Sequence, residues 1–136
     1  VTATRLFLAI SAVVWLPYGI VCLVRPETVA SLTGMTLDSP VAISEIRAMY
    51  GGLQAAIGIL ALIGIFSPRL AGGSLLGLAL LCAGLFTGRT YGIVSGSDLS
   101  AYSLGAALFE SASALVAARF WWYAHLPADT SRHATG

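Results

Sequence analysis

Three stretches of 19 residues run without a charge, Leu6–Val24, Ala48–Phe66 and Leu70–Gly88, and a fourth, Leu99–Ala118, is interrupted only by Glu110. A helix needs roughly 20 apolar residues to cross a ~30 Å hydrocarbon core, so each run is long enough to span. The runs are continuous and show no alternation with a period of two, which excludes the strands of a membrane barrel. Backbone groups in hydrocarbon must bond internally, so helices remain. Breaks at Arg25-Pro26, Ser67-Pro68 and Ser95-Gly96-Ser97-Asp98 separate the runs. The pattern therefore predicts an all-α, integral membrane four-helix bundle, with helices at about 5–25, 42–66, 69–94 and 100–124 in a single transmembrane domain over 1–136.

Only the first connection is long. Within it Pro26 to Leu32 has Pro at a helix start and Gly34 as a stop, the signature of a short amphipathic turn at the interface. The first run follows Arg5, as a signal peptide would, but exceeds the usual apolar core of about 7–15 residues, and it is expected to be a retained helix. Arg5, Arg69, Arg119 and Arg132 fall on the side of the termini, against Arg25, Arg47 and Arg89 on the other. By the positive-inside rule this favours both termini in the cytoplasm of a bacterial inner membrane. Trp121, Trp122 and Tyr123 then anchor the last helix at the cytoplasmic interface.

Composition agrees with this picture. Apolar residues make up 57% of the chain and charged ones 10%, against about 25% charged in soluble domains. All seven cations are Arg, too few and too scattered for nucleic acid to be a partner. Cys22 and Cys82 lie inside apolar runs without ligand spacing and read as small buried hydrophobes. His125 and His133 make no metal-binding spacing with a carboxylate, and neither a metal nor a cofactor is expected. Gly73-x3-Gly77 and Gly84-x3-Gly88-x3-Gly92 place small residues on one stripe of the third helix. That stripe is expected to pack closely on a small face of the fourth, Ser103, Ala106, Ala107, Ser113, Ala114 and Ala117.

Charged residues inside spans are costly, about 2.5–3.5 kcal/mol each on insertion scales, and usually face the bundle interior with a partner. Glu45, Arg47, Arg89 and Glu110 qualify. At 1.5 Å per residue, Glu45 and Arg47 enter roughly 5–8 Å and Glu110 about 15 Å, and Arg89 can reach inward to the same layer. Arg47, Tyr50, Gly51, Gln54 and Gly58 form a polar stripe by their spacing. Trp15 and Tyr18, flanking Pro17, can face it, with Tyr91 and Tyr102 near the rim. Two readings stay open: a neutral buried network that fixes helix register without chemistry, or an active centre.

The run Glu45-Ile46-Arg47-Ala48-Met49-Tyr50-Gly51-Gly52-Leu53-Gln54, followed by Gly58, resembles the hallmark segment of a bacterial family of small four-helix integral membrane proteins known only as a domain of unknown function. Arg89 after Thr87-Gly88, and Glu110, stand in similar settings. The resemblance implies the fold but no activity. A looser similarity, in size and hydropathy only, links the chain to integral-membrane terpene cyclases acting on epoxidised isoprenoids.

Two functions follow as expectations. In the first, the chain is an enzyme acting on a lipophilic substrate, an isoprenoid among the candidates, drawn from the bilayer. Glu110 and Glu45 would divide acid and base roles in isomerisation, epoxide opening or cyclisation. Arg47, Arg89, Tyr50, Gln54, Trp15, Tyr18 and Tyr91 would bind the substrate, the aromatic faces stabilising a cation. In the second, the chain is a non-catalytic lipid-binding protein or a small subunit of a larger membrane complex. A homo-oligomer is compatible with either.

Overall fold

The computed structural model describes residues 2–96 and 98–125; Ser97, Arg132 and His133 lie outside them. Five helices follow one another: α1 (Thr2–Val24), α2 (Pro26–Thr33), α3 (Pro40–Phe66), α4 (Ala71–Gly96) and α5 (Ala101–His125). All except α2 are long and apolar enough to cross a membrane. Large apolar side chains point outward along the spans, with Val13, Leu80, Leu108 and Leu115 each at least 65% exposed. Such a surface suits hydrocarbon and not water.

The ends of the elements follow local rules. Ser39 caps α3 by accepting from Ala42 N at 3.1 Å, with Pro40 in the first turn. The short α2 runs over Pro26, Val29 and Ala30, spaced three and four apart and all buried, and stops at Gly34, whose φ of +72° is left-handed. Val29, Ala30, Cys22 and Ile46 form a small core closing the end of the bundle where α1 ends, with Tyr18, Met35 and Tyr50 against it. A larger core of Leu8, Trp15, Ile57, Leu75, Leu78 and Ala117 fills the bundle interior.

α3 is not a regular α-helix throughout. Over Arg47–Gly52 it widens into a π turn, in which Leu53 N–H reaches Ala48 O, five residues back. The α1–α3 contact beside it is close because it is built on glycine. A Cβ at Gly19 would lie 2.8 Å from Ala55 Cα and from Gly51 O, and one at Gly58 would lie 2.6 Å from Leu16 N.

The stripe on α4 behaves differently from expectation. A Cβ added at Gly73, Gly84, Gly88 or Gly92 meets nothing within 4 Å, and Gly77 faces Leu60 of α3 rather than α5. The glycines that permit close packing are therefore those of α1 and α3, and most of the α4 stripe faces outward. The small face of α5 does turn inward, at Ser103, Ser113 and Ala117.

α5 starts on a compact hydrogen-bonded turn. Asp98 accepts from Ser100 N at 3.0 Å and from the Ser103 hydroxyl, while Ser100 Oγ accepts from Ser103 N at 3.2 Å. The Ser103 hydroxyl, and after it the Ser100 amide, hold the Asp98 carboxyl below the usual carboxylate range. A carboxyl whose value is lower folded than unfolded stabilises above about pH 4, and that contribution fades as the pH falls through its depressed value. Amide exchange at Ser103 and Leu104, relative to the intrinsic rate, should accelerate only in that acid range. Asp98→Asn should abolish the acid-dependent step, and a step that survived the substitution would assign it to another group.

Candidate functional site

α1 pairs along its length with α3, α3 with α4, and α4 with α5. α1 and α5 complete the ring chiefly through aromatic side chains. Phe7 meets Phe120 at 5.8 Å between centroids, Trp15 meets Phe109 at 5.5 Å, and the Tyr18 and Tyr102 hydroxyls stand 3.4 Å apart. That last separation is longer than a firm O–H···O bond. Between these aromatic bridges the seam opens into a cleft of about 160 Å³, lined by Trp15, Tyr18, Gln54, Tyr102, Phe109 and Glu110. Val14 and Phe109, both over a third exposed, stand at its mouth.

Glu110 is 3% exposed, and its carboxylate is gripped from α4. Arg89 Nη2 donates to Oε1 at 2.7 Å and Nε to Oε2 at 2.9 Å, a fork in the planar geometry that suits guanidinium and carboxylate. Among the described residues it is the only ion pair. The α4–α5 hairpin makes it possible: Arg89 lies about 10 Å and Glu110 about 15 Å from the connecting loop, and the Arg side chain covers the difference. The Arg89 guanidinium also lies over the Tyr102 ring, 5.6 Å from its centroid. Each Glu110 oxygen retains a lone pair, which leaves it room to accept a further hydrogen bond from the cleft.

Two further polar atoms in the cleft lining are unusual. Trp15 Nε1 and Gln54 Oε1 are buried without a hydrogen-bond partner. A buried polar group left unpaired costs about 1–3 kcal/mol, and two such groups belong to residues lining the cleft that also holds the Glu110 carboxylate. A larger cavity of about 400 Å³ lies at the end where α1 starts, lined by Leu8, Ile65, Phe120 and Arg5 among others. None of its lining residues carries such an unpaired buried atom, and the third such atom among the described residues, Ser74 Oγ, belongs to the lining of neither cavity.

The structure thus brings together Trp15, Tyr18, Gln54, Arg89 and Glu110 of the residues singled out in the sequence. Tyr50 stays half-buried beside Tyr18 in the small core under α2. It does not bring in the other three. Glu45 is exposed, with neither a hydrogen bond nor an ion pair among the described residues. Arg47 is also exposed and donates from Nε to Leu23 O at 3.2 Å, satisfying a carbonyl at the end of α1. Tyr91 is 76% exposed on the outer side of α4. The expected single layer of two acids and two Arg is therefore one acid and one Arg.

The π turn explains the departure of Arg47. Seven residues apart on a regular helix, Arg47 and Gln54 share a face. A turn closed by i to i+5 bonds advances less per residue, and over the six residues Arg47–Gly52 the deficit accumulates to about a quarter turn. Gln54 then faces the cleft while Arg47 swings outward. Two lining residues carried weaker signals. Tyr102 and Phe109 lie eight and one positions before Glu110, and with Ala106 they follow the spacing of one helix face.

No curated protein and no solved structure matches the chain. A family model described as a domain of unknown function (DUF4345) matches residues 3–123, and the chain belongs to that family.

Proposed function

We propose that this membrane protein takes a lipophilic small molecule sideways from the bilayer into the cleft between α1 and α5 and holds its polar end against Trp15, Gln54 and Glu110. The observation that carries the proposal is the pair of unpartnered buried atoms, Trp15 Nε1 and Gln54 Oε1, in a cleft that also holds the Glu110 carboxylate. Burial without partners is costly, and a ligand bearing polar atoms removes the cost on binding. An aromatic lining with a few convergent polar groups is the usual make-up of a small-molecule site.

Acid/base chemistry on the same molecule is the second reading, favoured by the Tyr18 and Tyr102 hydroxyls standing together at the seam beside Glu110. Glu110 would then serve as the base and a tyrosine hydroxyl as the proton donor, in an isomerisation, epoxide opening or cyclisation of an isoprenoid-like substrate. Glu45 has no place in this version. A non-catalytic lipid-binding role uses the same cleft without turnover.

The placement of Arg89 supports an orientation with the termini in the cytoplasm. Its side chain is engaged by Glu110 within the span, which leaves Arg25 and Arg47 near one face against Arg5, Arg69 and Arg119 near the other. A bacterial inner membrane is the setting proposed.

Purified protein extracted with organic solvent and analysed by mass spectrometry should release a lipophilic molecule in near-stoichiometric amount. Folded Trp15→Phe and Gln54→Leu variants should each retain about tenfold less, the loss of one buried hydrogen bond. Equal retention in both variants would remove the cleft from consideration. Under the catalytic reading, Glu110→Gln accumulates the same molecule unconverted.

A further inference from the structure

The chemistry of the unpartnered atoms restricts the ligand further. Indole Nε1 can only donate, and it therefore needs an acceptor. Gln54 presents its carbonyl oxygen buried and free, and that oxygen needs a donor. Glu110, whose two oxygens already accept from Arg89, offers further acceptor sites and no donor. Both residues line the same cleft, which thus lacks one acceptor and one donor.

Resting on the reading of the cleft as a lipophile site, we infer that the polar end of the bound molecule is a neutral hydroxyl, which accepts from Trp15 Nε1 and donates to Gln54 Oε1. A hydroxyl is the smallest organic group that does both. An ether, epoxide or ketone accepts and has nothing to donate, so Gln54 stays unpaired. An ammonium group donates only, and Trp15 stays unpaired. An ionised carboxylate or phosphate brings negative charge against Glu110, whose single guanidinium partner is already taken up. The aromatic lining, Trp15 against Phe109 with Val14 at the mouth, accommodates the first carbons of an apolar chain whose remainder lies among the lipids.

The chain contains three tryptophans, Trp15, Trp121 and Trp122. Replacing Trp121 and Trp122 with Phe makes Trp15 the only indole, and its emission reports directly on the cleft. In nanodiscs this protein is titrated with dodecan-1-ol, dodecyl methyl ether, dodecane and dodecanoate. The alcohol should bind roughly tenfold more tightly than the ether, since only it satisfies Gln54. Dodecane and dodecanoate should both be weaker than the alcohol. In the further variant Gln54→Leu the alcohol-to-ether ratio should fall towards one.

An ether or alkane equal to the alcohol, a carboxylate that outbinds it, or a ratio unchanged by Gln54→Leu would overturn the hydroxyl assignment while leaving the cleft a lipophile site. If none of the four probes altered Trp15 emission, the cleft itself would be the wrong site and the hydroxyl assignment would go with it. The ligand series on the otherwise intact protein decides the question even where Gln54→Leu folds poorly.

Discussion

Arg89→Met is expected to destabilise the bundle by about 3–5 kcal/mol, the usual cost of removing one partner from a buried ion pair. The substitution keeps most of the apolar volume and removes the guanidinium, leaving Glu110, 3% exposed, as an uncompensated carboxylate deep in a span. Glu110→Gln should cost less, about 1–3 kcal/mol. The stranded Arg89 is 20% exposed on its side chain, lies seven positions from the end of α4, and can turn its head towards the interface. The amide of Gln also still accepts one hydrogen bond from it. The double variant Arg89→Met/Glu110→Leu carries no buried charge and should recover to within about 1 kcal/mol of the parent or exceed it. Unfolding in mixed micelles titrated with SDS measures all three. If the single variants cost the same and the double variant cost their sum, the two side chains would be acting independently, and the fork would not be a stabilising unit.

The same set of variants separates stability from use. A double variant that folds as well as the parent yet no longer retains a lipophilic molecule would mean that the ion pair is kept for what it presents to the cleft. One that folds and retains the molecule would confine Arg89 and Glu110 to fixing the register of α4 against α5. Either outcome is informative because the pair has no counterpart elsewhere among the described residues.

Much of the architecture was legible in the chain because hydrocarbon leaves so few choices. A run of 19 uncharged residues must bond its own backbone, so expected helices at 5–25, 42–66, 69–94 and 100–124 lie within a few residues of Thr2–Val24, Pro40–Phe66, Ala71–Gly96 and Ala101–His125. The turn that became α2 was equally legible, through Pro26 at its start and Gly34 past its end. The rotation of each helix about its own axis was not. Lipid tails are as apolar as a core, so hydropathy does not distinguish Leu80, facing outward, from Leu78, fully buried. Only polar residues mark the inner face, and they do so at Glu110 on α5 and at Trp15 and Tyr18 on α1, but not at Tyr91 on α4 or Glu45 on α3, which face outward. On α3 the π turn broke the register between Arg47 and Gln54. Nothing in the Arg47–Gly52 segment announces that turn except a pair of adjacent glycines.

Glycine spacing misled for a related reason, and the outcome can be measured. Gly19→Ala and Gly58→Ala are each expected to destabilise the bundle by about 1–3 kcal/mol, because the added Cβ meets backbone that cannot rotate away: Ala55 Cα and Gly51 O at 2.8 Å for Gly19, Leu16 N at 2.6 Å and Cα at 2.7 Å for Gly58. Gly84→Ala and Gly88→Ala, whose new methyl groups meet nothing within 4 Å, should be neutral or stabilise slightly, since Ala is the better helix former. The contrast runs against the sequence, in which the repeated four-residue spacing on α4 looks like the tighter interface. It also bears on the cleft. Gln54 of α3 and Trp15 of α1 line one cleft, and Gly19, Gly51 and Gly58 let α3 lie against α1, so forcing these helices apart should reshape the proposed site and lower retention of a lipophilic molecule as well as stability. Retention lost in Gly19→Ala and kept in Gly88→Ala, both measured on folded protein, is the expected pattern. Equal behaviour of the two variants would mean that the α1–α3 contact does not set the shape of the site.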